Sequence, residues 1–360
     1  MLSSVSYFVG LDVHRQTVSY CVKQADGKIV SEGKIAARRD ALSEWATSLN
    51  APWCGGLEAT ICSHWICQHL RPYAVDLKMG PPAKLKAITA GKRKTDRLDA
   101  RTLADLLRCE LFPTCYVIPP EYELLRRQLR FRSLIVRTRV LFQNKTAGLL
   151  IESGVPYDTP RLHSKKYFAE LLESGDEGLT AELKRLLAFN RTEIAQLKRI
   201  DREIVSILLA HPLLQQRTER LRSIPGVGEI TALTWALETG EPSRFPNARH
   251  AISYCGLCAA QRESAGIQKR GPVSKQRNRF LQSTLVEAAH MATYYNETLR
   301  AIHAAALRKG HKHRATLEVA RRLVRYLLAI DRQHFEELGA ASTASAAGRC
   351  VFSGMADLSR

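Results

Sequence analysis

The segment KTDRLDAR, residues 94–101, sets Asp96 and Asp99 one helical turn apart in an otherwise basic stretch. Residues three apart share a face of a helix, so both carboxylates point the same way. Like charges side by side are costly unless a cation offsets them. Lys94, Arg97 and Arg101 are at hand for that, and a hard metal ion would serve equally. Two more acids carry the same ambiguity. Asp12 lies in the alternating run SYFVGLDVH, on the side of the pleat shared by Phe8 and Gly10, where a charge needs a reason. Glu58 follows Gly55-Gly56-Leu57, glycines that let another group approach the backbone closely. Brought together, four such acids can hold one or two Mg²⁺ (or Mn²⁺) ions and clamp the oxygens of an in-line phosphoryl transfer. Kept apart, they are surface charges or partners for arginine.

The elements around these acids decide whether they can meet. Residues 6–14 and TVSYCVKQ read as strands, and Asp26-Gly27 as a hairpin turn into a third strand. A helix over 39–49, a short strand ending at Glu58, a helix over 62–71 and a fifth strand in YAVDLKMG follow. The helix bearing KTDRLDARTLADLLR comes last. Three strands, helix, strand, helix, strand, helix is the element order of an RNase H-like α/β fold. In that fold the first strand, the fourth strand and the last helix converge at one edge.

From about 120 to 216 the pattern turns helical and charged. ELLRRQLRFRSLIVRTRVLFQNKTAGLL reads as one long helix, 153–165 as a loop and 179–210 as a second long helix, an antiparallel pair or coiled-coil arm. Within 120–150 Arg126, Arg127, Arg130, Arg132, Arg137, Arg139 and Lys145 outweigh Glu121 and Glu123, an excess that favours a phosphate-tracking face. Further on, LRSIPGVGEITALTWALE reads as a helix-hairpin-helix in which Pro225, Gly226 and Gly228 form a tight turn. The amides of such a turn hold a phosphate without reading sequence. The alternative is a Gly-rich helix connection with no ligand. Residues 255–290 read as a basic, Gly-punctuated loop passing into a helix, and two more helices extend to about 335. The small, polar run GAASTASAAGRCVFSG reads as a disordered tail.

At 360 residues the chain has room for two or three domains. Its 54 Lys+Arg against 35 Asp+Glu leave a net charge of +19, which points to a polyanion, nucleic acid before membrane. No basic region followed by an apolar run opens the chain, and no stretch approaches the ~20 apolar residues of a membrane span. A cytoplasmic protein is expected, and nine scattered cysteines fit reduced thiols there. Cys255 and Cys258 lack a second pair to complete a zinc site. Cys62, His64, Cys67 and His69 read as buried thiols and surface histidines on an apolar helix.

The strings GLDVH, GLEAT and KTDRLDARTLA, with IPGVG and a serine-containing loop before SKQRN, resemble the DEDD-type insertion-sequence transposases, recombinases guided by a bridge RNA. The resemblance spans about 1–335 in order. It implies a RuvC-like domain at 1–118, a helical coiled-coil linker at 119–216, a mainly α C-terminal transposase domain at 217–335 and a tail at 336–360. It also implies a catalytic, metal-holding set of Asp12, Glu58, Asp96 and Asp99, and a nucleophilic serine at Ser264 in RESAG, with Ser274 its competitor. Arg262, Lys269, Arg270, Lys275 and Arg277 would surround the reacting phosphate. Lys94, Arg97, Arg126, Arg127, Arg130, Arg137, Gly226 and Gly228 would hold nucleic acid elsewhere. The implied partners are donor and target DNA, a structured guide RNA and further copies of the chain as dimer or tetramer. Two departures stand out: Ala265 follows Ser264 where the family usually has Gly, and Arg277 replaces a usual Gly. Two other readings of the residues stay open, a RuvC-like metal-dependent Holliday-junction nuclease and a non-catalytic binder of structured nucleic acid.

Overall fold

The computed structural model describes residues 5–88, 96–264 and 267–354; the side chains of Arg97, residues 261–270, Pro272 and residues from 341 onward lie outside that description. The chain divides into two compact units, residues 1–120 and 121–360.

The first unit contains strands β1 (Tyr7–Val13), β2 (Thr17–Lys23), β3 (Ile29–Ala36), β4 (Trp53–Glu58) and β5 (Asp76–Gly80). Between and after them lie helices α1 (Arg39–Ser48), α2 (Ser63–Leu70), α3 (Pro82–Ile88) and α4 (Asp96–Arg108). The strands form one mixed sheet in the order β3-β2-β1-β4-β5. β1 pairs antiparallel with β2 and parallel with β4, and β4 pairs parallel with β5. This arrangement is consistent with an RNase H-like domain, as the element order predicts.

Period-two alternation sends β1 into two different environments. Val9, Leu11 and Val13 join Val18, Val22, Leu42, Ile66 and Leu70 in a core under α1 and α2. Phe8, on the opposite face, packs with Cys54, Leu103, Leu106, Leu107 and Phe112 beneath α4. Gly10 follows Phe8 on that face, and here the absent side chain matters. A Cβ at Gly10 would stand 2.0 Å from the Ala100 carbonyl oxygen and 2.6 Å from the Ala104 nitrogen, both backbone atoms of α4. Its register partner, Gly56, would place a Cβ 2.7 Å from Phe112. The paired glycines form a notch into which α4 and the segment after it settle.

The second unit contains α5 (Pro120–Glu152), α6 (Lys165–Glu173), α7 (Ala181–Ala210), α8 (Pro212–Arg222), α9 (Glu229–Thr239) and α10 (Ala248–Tyr254). A two-stranded antiparallel hairpin, β6 (Ala259–Ser264) and β7 (Ile267–Val273), follows, then α11 (Arg279–Tyr295), α12 (Glu297–Leu307) and α13 (Lys312–Gly354). Leu125, Leu129 and Leu208 of the long helices share one core with Trp235, Leu281, Leu285, Leu323 and Leu327. Far along the same helices, Leu150, Phe168, Leu171, Leu183 and Leu187 make a separate small core. The linker and C-terminal regions expected as separate domains thus lie in one unit, which starts at 121.

Two local expectations differ from the structure. The loop expected after Cys258 is the β6–β7 hairpin, whose strands flank residues 265–266. The tail expected from 336 is helical through Gly354. Its alanines are the strongest helix formers and extend the turn pattern of α13.

A buried ion pair anchors the second unit. Arg217 on α8 donates to Asp331 on α13 from Nε and Nη2, each at 2.7 Å, and to the Gly240 carbonyl at 2.6 Å. The Trp235 indole N–H donates to the same carboxylate at 2.9 Å. One turn along α13, buried His334 has its pKa lowered first by burial, then by the positive charge of Arg220 and Arg217; Asp331 and Glu337 pull the other way. Burial also lowers His163, with Arg191 and Lys198 adding to the effect. Because these folded-state values lie below the ordinary 6.5, the unfolded chain takes up protons first as pH falls. Their contribution to stability is present above about pH 6.5 and is lost as pH drops through that value. Urea titrations at pH 7 and pH 5 are expected to show this loss, with a shallower slope in His334→Gln. An unchanged slope would place the acid sensitivity elsewhere.

Candidate metal-binding active site

The notch seats α4 across β1 and β2, and register does the rest. Asp12 pairs with Ser19 on β2, and Ser19 pairs with Lys34 on β3. On the other side, Leu11 pairs with Leu57, so Glu58 is the next residue of β4 alongside Asp12. One cross-strand row therefore runs Glu58, Asp12, Ser19, Lys34. Helix α4 brings its own charges down onto the sheet. Lys34 Nζ donates to Asp96 Oδ2 at 3.0 Å, Arg101 makes a two-bond pair with Glu32 at 2.7 and 2.8 Å, and Lys23 Nζ donates to Asp105 at 2.6 Å. Three ion pairs spaced along α4 fix its rotation, and with it the direction of Asp96.

The outcome is a cluster of Asp12, His14 and Asp96, each with a ligand atom within 4.8 Å of the others. His14 Nε2 lies 3.0 Å from Asp12 Oδ2 and 3.4 Å from Asp96 Oδ1. Asp99 sits one turn along α4 from Asp96, and its negative charge reaches Asp12. Glu58 and Asp99 do not enter the tight set, so the structure joins two of the four expected acids closely and sets the other two alongside. Burial pushes the Asp12 carboxyl up, His14 pulls it down, and Asp99 and Asp96 raise it further. Asp96 is held down, chiefly by the hydrogen bond from Lys34.

His14 and Lys34 were not among the expected site residues. His14 was findable: two residues beyond Asp12, it lies on the same side of the pleat. Lys34 was not, because its proximity depends on two strand registers.

The residues fit a small divalent cation. Carboxylates that repel one another at a partly buried position favour positive charge between them. Ser19 Oγ, in the same row, is buried without a hydrogen-bond partner. A buried hydroxyl of that kind is satisfied by a water or ligand oxygen entering the site.

The other expected residues are distributed as follows. Lys94 lies outside the described residues, and so does the side chain of Arg97. Of the arginines expected to track phosphate on α5, Arg130 pairs with buried Glu238 of α9 at 2.7 and 2.8 Å, and Arg126 stands 3.8 Å from the same carboxylate. Arg127 pairs with Glu123 on its own helix. Arg137 is exposed and donates to the Ser133 carbonyl. Arg132 and Arg139 both pair with Asp201 of α7, so two carboxylates, Glu238 and Asp201, face four of the arginines and offset part of the excess charge on α5. These partners lie far along the chain, where a local charge count does not see them.

Gly226 has φ 92°, and a Cβ there would meet Ala292 of α11 at 2.4 Å, so its turn is required by packing. Gly228 faces open space at the start of α9. Beside it opens a cavity of about 730 Å³ lined by Arg132, Arg139, Arg222 and Glu229 among others. Ser264 ends β6, its backbone paired with Ile267, with Arg262 opposite Lys269 and Gln261 opposite Arg270. Lys275 is exposed and Arg277 donates to the Ser274 carbonyl at 3.0 Å. Asn278 caps α11 through the Phe280 and Leu281 amides and donates to Glu238 at 2.7 Å. That bond ties the end of the SKQRN segment to the network of Arg126 and Arg130. No helix of the described residues is long and apolar enough to cross a membrane, and the described cysteines are free thiols.

Two family profiles match this chain. One, for DEDD transposases of the IS110 type, matches residues 9–153; the other, for the transposase IS116/IS110/IS902 family, matches residues 218–304. The chain is 25% identical to the transposase for insertion sequence element IS1111A of Coxiella burnetii, over 78% of this chain and 76% of that protein. It is 23% identical to the transposase for insertion sequence element IS1328 of Yersinia enterocolitica, over 79% and 83%. A probable family 20 transposase of Pseudomonas aeruginosa is 25% identical, over 66% and 70%.

Proposed function

From a chain that belongs to the IS110/IS116/IS902 family of transposases, we propose an enzyme that cuts and rejoins DNA through Ser264, with Asp12, Glu58, Asp96 and Asp99 serving a divalent ion, Mg²⁺ or Mn²⁺. The observation that carries the reading is the convergence of Asp12 and Asp96 at the C-terminal end of the central strand β1, in a domain of RNase H-like strand order. Bound there, the ion supplies charge neutralisation and Lewis acidity at a phosphate oxygen.

The chain's own residues do the rest. Ser264 Oγ attacks the phosphorus of a DNA phosphodiester, the bond to the 3′-oxygen breaks, and a phosphoserine and a free 3′-hydroxyl result. The serine proton passes to a carboxylate and the leaving oxygen gains one. Rejoining reverses the sequence with a new 3′-hydroxyl, so bond energy is conserved. Lys275 and Arg277, with Arg262, Lys269 and Arg270, supply positive charge to the pentacoordinate transition state. The turn at Gly226 and Gly228, with the cavity beside it, holds backbone phosphate further along the duplex.

A net charge of +19 supports binding of donor and target DNA and of a structured guide RNA. The RNA rests on resemblance and charge, and sequencing the nucleic acid that copurifies tests it. Exposed Leu124, Phe131 and Ile207, flanking one groove between α5 and α7, support assembly of two or four copies.

The deciding experiment is denaturing detection of a covalent protein–DNA adduct. Wild-type chain is expected to form it in the presence of Mg²⁺, and Ser264→Ala to lose it below detection while binding DNA with unchanged affinity. An adduct persisting in Ser264→Ala would overturn the assignment. Cleavage without any adduct in the wild type would instead mark a nuclease that hydrolyses with water.

A further inference from the structure

We infer that His14 is a nitrogen ligand in this metal site, which makes it a mixed N/O centre favouring Mn²⁺ or Co²⁺ over Mg²⁺. The inference rests on the metal reading above and adds a ligand to it. The geometry begins with His14 Nε2, which faces both carboxylates at 3.0 and 3.4 Å. On an octahedral ion with bonds near 2.1 Å, neighbouring ligand atoms are about 3.0 Å apart. The imidazole nitrogen thus stands where an octahedral edge would put it relative to Asp12, and close to it relative to Asp96. Asp96 is already turned for this role. Its Oδ2 accepts from Lys34, leaving Oδ1 as the atom facing His14.

A second feature points into the same space. Ser19 is 2% exposed, its hydroxyl has no partner, and it lies beside Asp12 in the cross-strand row. An ion carrying waters between Asp12, His14 and Asp96 would offer that hydroxyl an acceptor or donor. Without an ion, the contacts of His14 with Asp12 and Asp96 leave Ser19 unbonded.

Ligand softness then sets the metal preference. Oxygen-only sites suit Mg²⁺, whereas an imidazole adds affinity for first-row transition ions and little for Mg²⁺. His14 is about half exposed, so its replacement leaves the core intact.

The test uses the full chain and Mn²⁺ alone, followed by electron spin-echo spectroscopy for ¹⁴N coupling to the bound ion. Wild type is expected to show ¹⁴N modulation, and His14→Gln to lose it while still binding Mn²⁺. Calorimetry should show Mn²⁺ affinity weakened about tenfold in His14→Gln and Mg²⁺ affinity changed by about threefold or less. Bound Mn²⁺ that is lost in Asp12→Asn but shows no ¹⁴N modulation in the wild type would overturn the histidine ligand and leave the acid site standing. Mn²⁺ binding insensitive to Asp12→Asn would overturn both.

Discussion

Gly10→Ala should unseat α4 from the sheet. The new methyl group would stand 2.0 Å from the Ala100 carbonyl oxygen and 2.6 Å from the Ala104 nitrogen, and neither can swing aside as a side chain can. Either β1 bends away from its neighbours or α4 lifts, and lifting breaks the contacts of Leu103 and Leu107 with Phe8. The cost is expected at about 3 kcal/mol or more, at the upper end for overpacking a core. Amide hydrogen exchange would read it directly, as lost protection in β1 and α4. Metal affinity should fall with it, because Asp96 rides on α4. Gly148→Ala, near the C-terminal end of α5, where a Cβ would meet only Glu152 Oε1 at 4.0 Å, should move stability the opposite way by up to about 1 kcal/mol. Undiminished protection in Gly10→Ala would mean that the helix and strand do not approach this closely in solution.

The second large effect belongs to Asp331. Arg217 and Asp331 are 1% and 0% exposed, and removing the carboxylate strands a buried guanidinium and the indole N–H of Trp235. Asp331→Ala is expected to destabilise the second unit by about 3–5 kcal/mol, measured by urea denaturation. The pair is not, on that account, a large net source of stability, since both charges left water to form it. Arg217→Met combined with Asp331→Leu should recover much of the loss. A double variant as unstable as Asp331→Ala would show that the bonds to Gly240 and Trp235 outweigh the charge pairing.

These cases show what the sequence made legible and what it did not. Period-two alternation exposed Asp12 as a charge on an inward face, and the run Gly55-Gly56-Leu57 marked a close approach, which the contact with Phe112 bears out. The strand and helix order led to the sheet observed. What stayed hidden was non-local. Nothing near Asp96 predicts Lys34, and nothing near Arg130 predicts Glu238, because each pairing is created by the fold. The same blindness kept the pairings of Arg130 with Glu238 and of Arg132 with Asp201 out of the charge count on α5. The β6–β7 hairpin was hidden for a different reason: its strands are short and polar, and basic composition outweighed their alternation.

The row of Glu58, Asp12, Ser19 and Lys34 makes the site a matter of odd and even. Side chains alternate strictly, so one residue inserted within β1 before Asp12 would turn it from the helix side into the apolar core beneath α1 and α2. Insertions after His14, in the connection between β1 and β2, carry no such penalty, since both strands can keep their pairing. The sheet's one irregularity, between Val22 and Lys23 where β2 meets β3, falls beyond Ser19 and leaves the row in phase. A length change in this domain is therefore harmless or ruinous according to which side of the row it falls on, and its size in residues matters less than its parity.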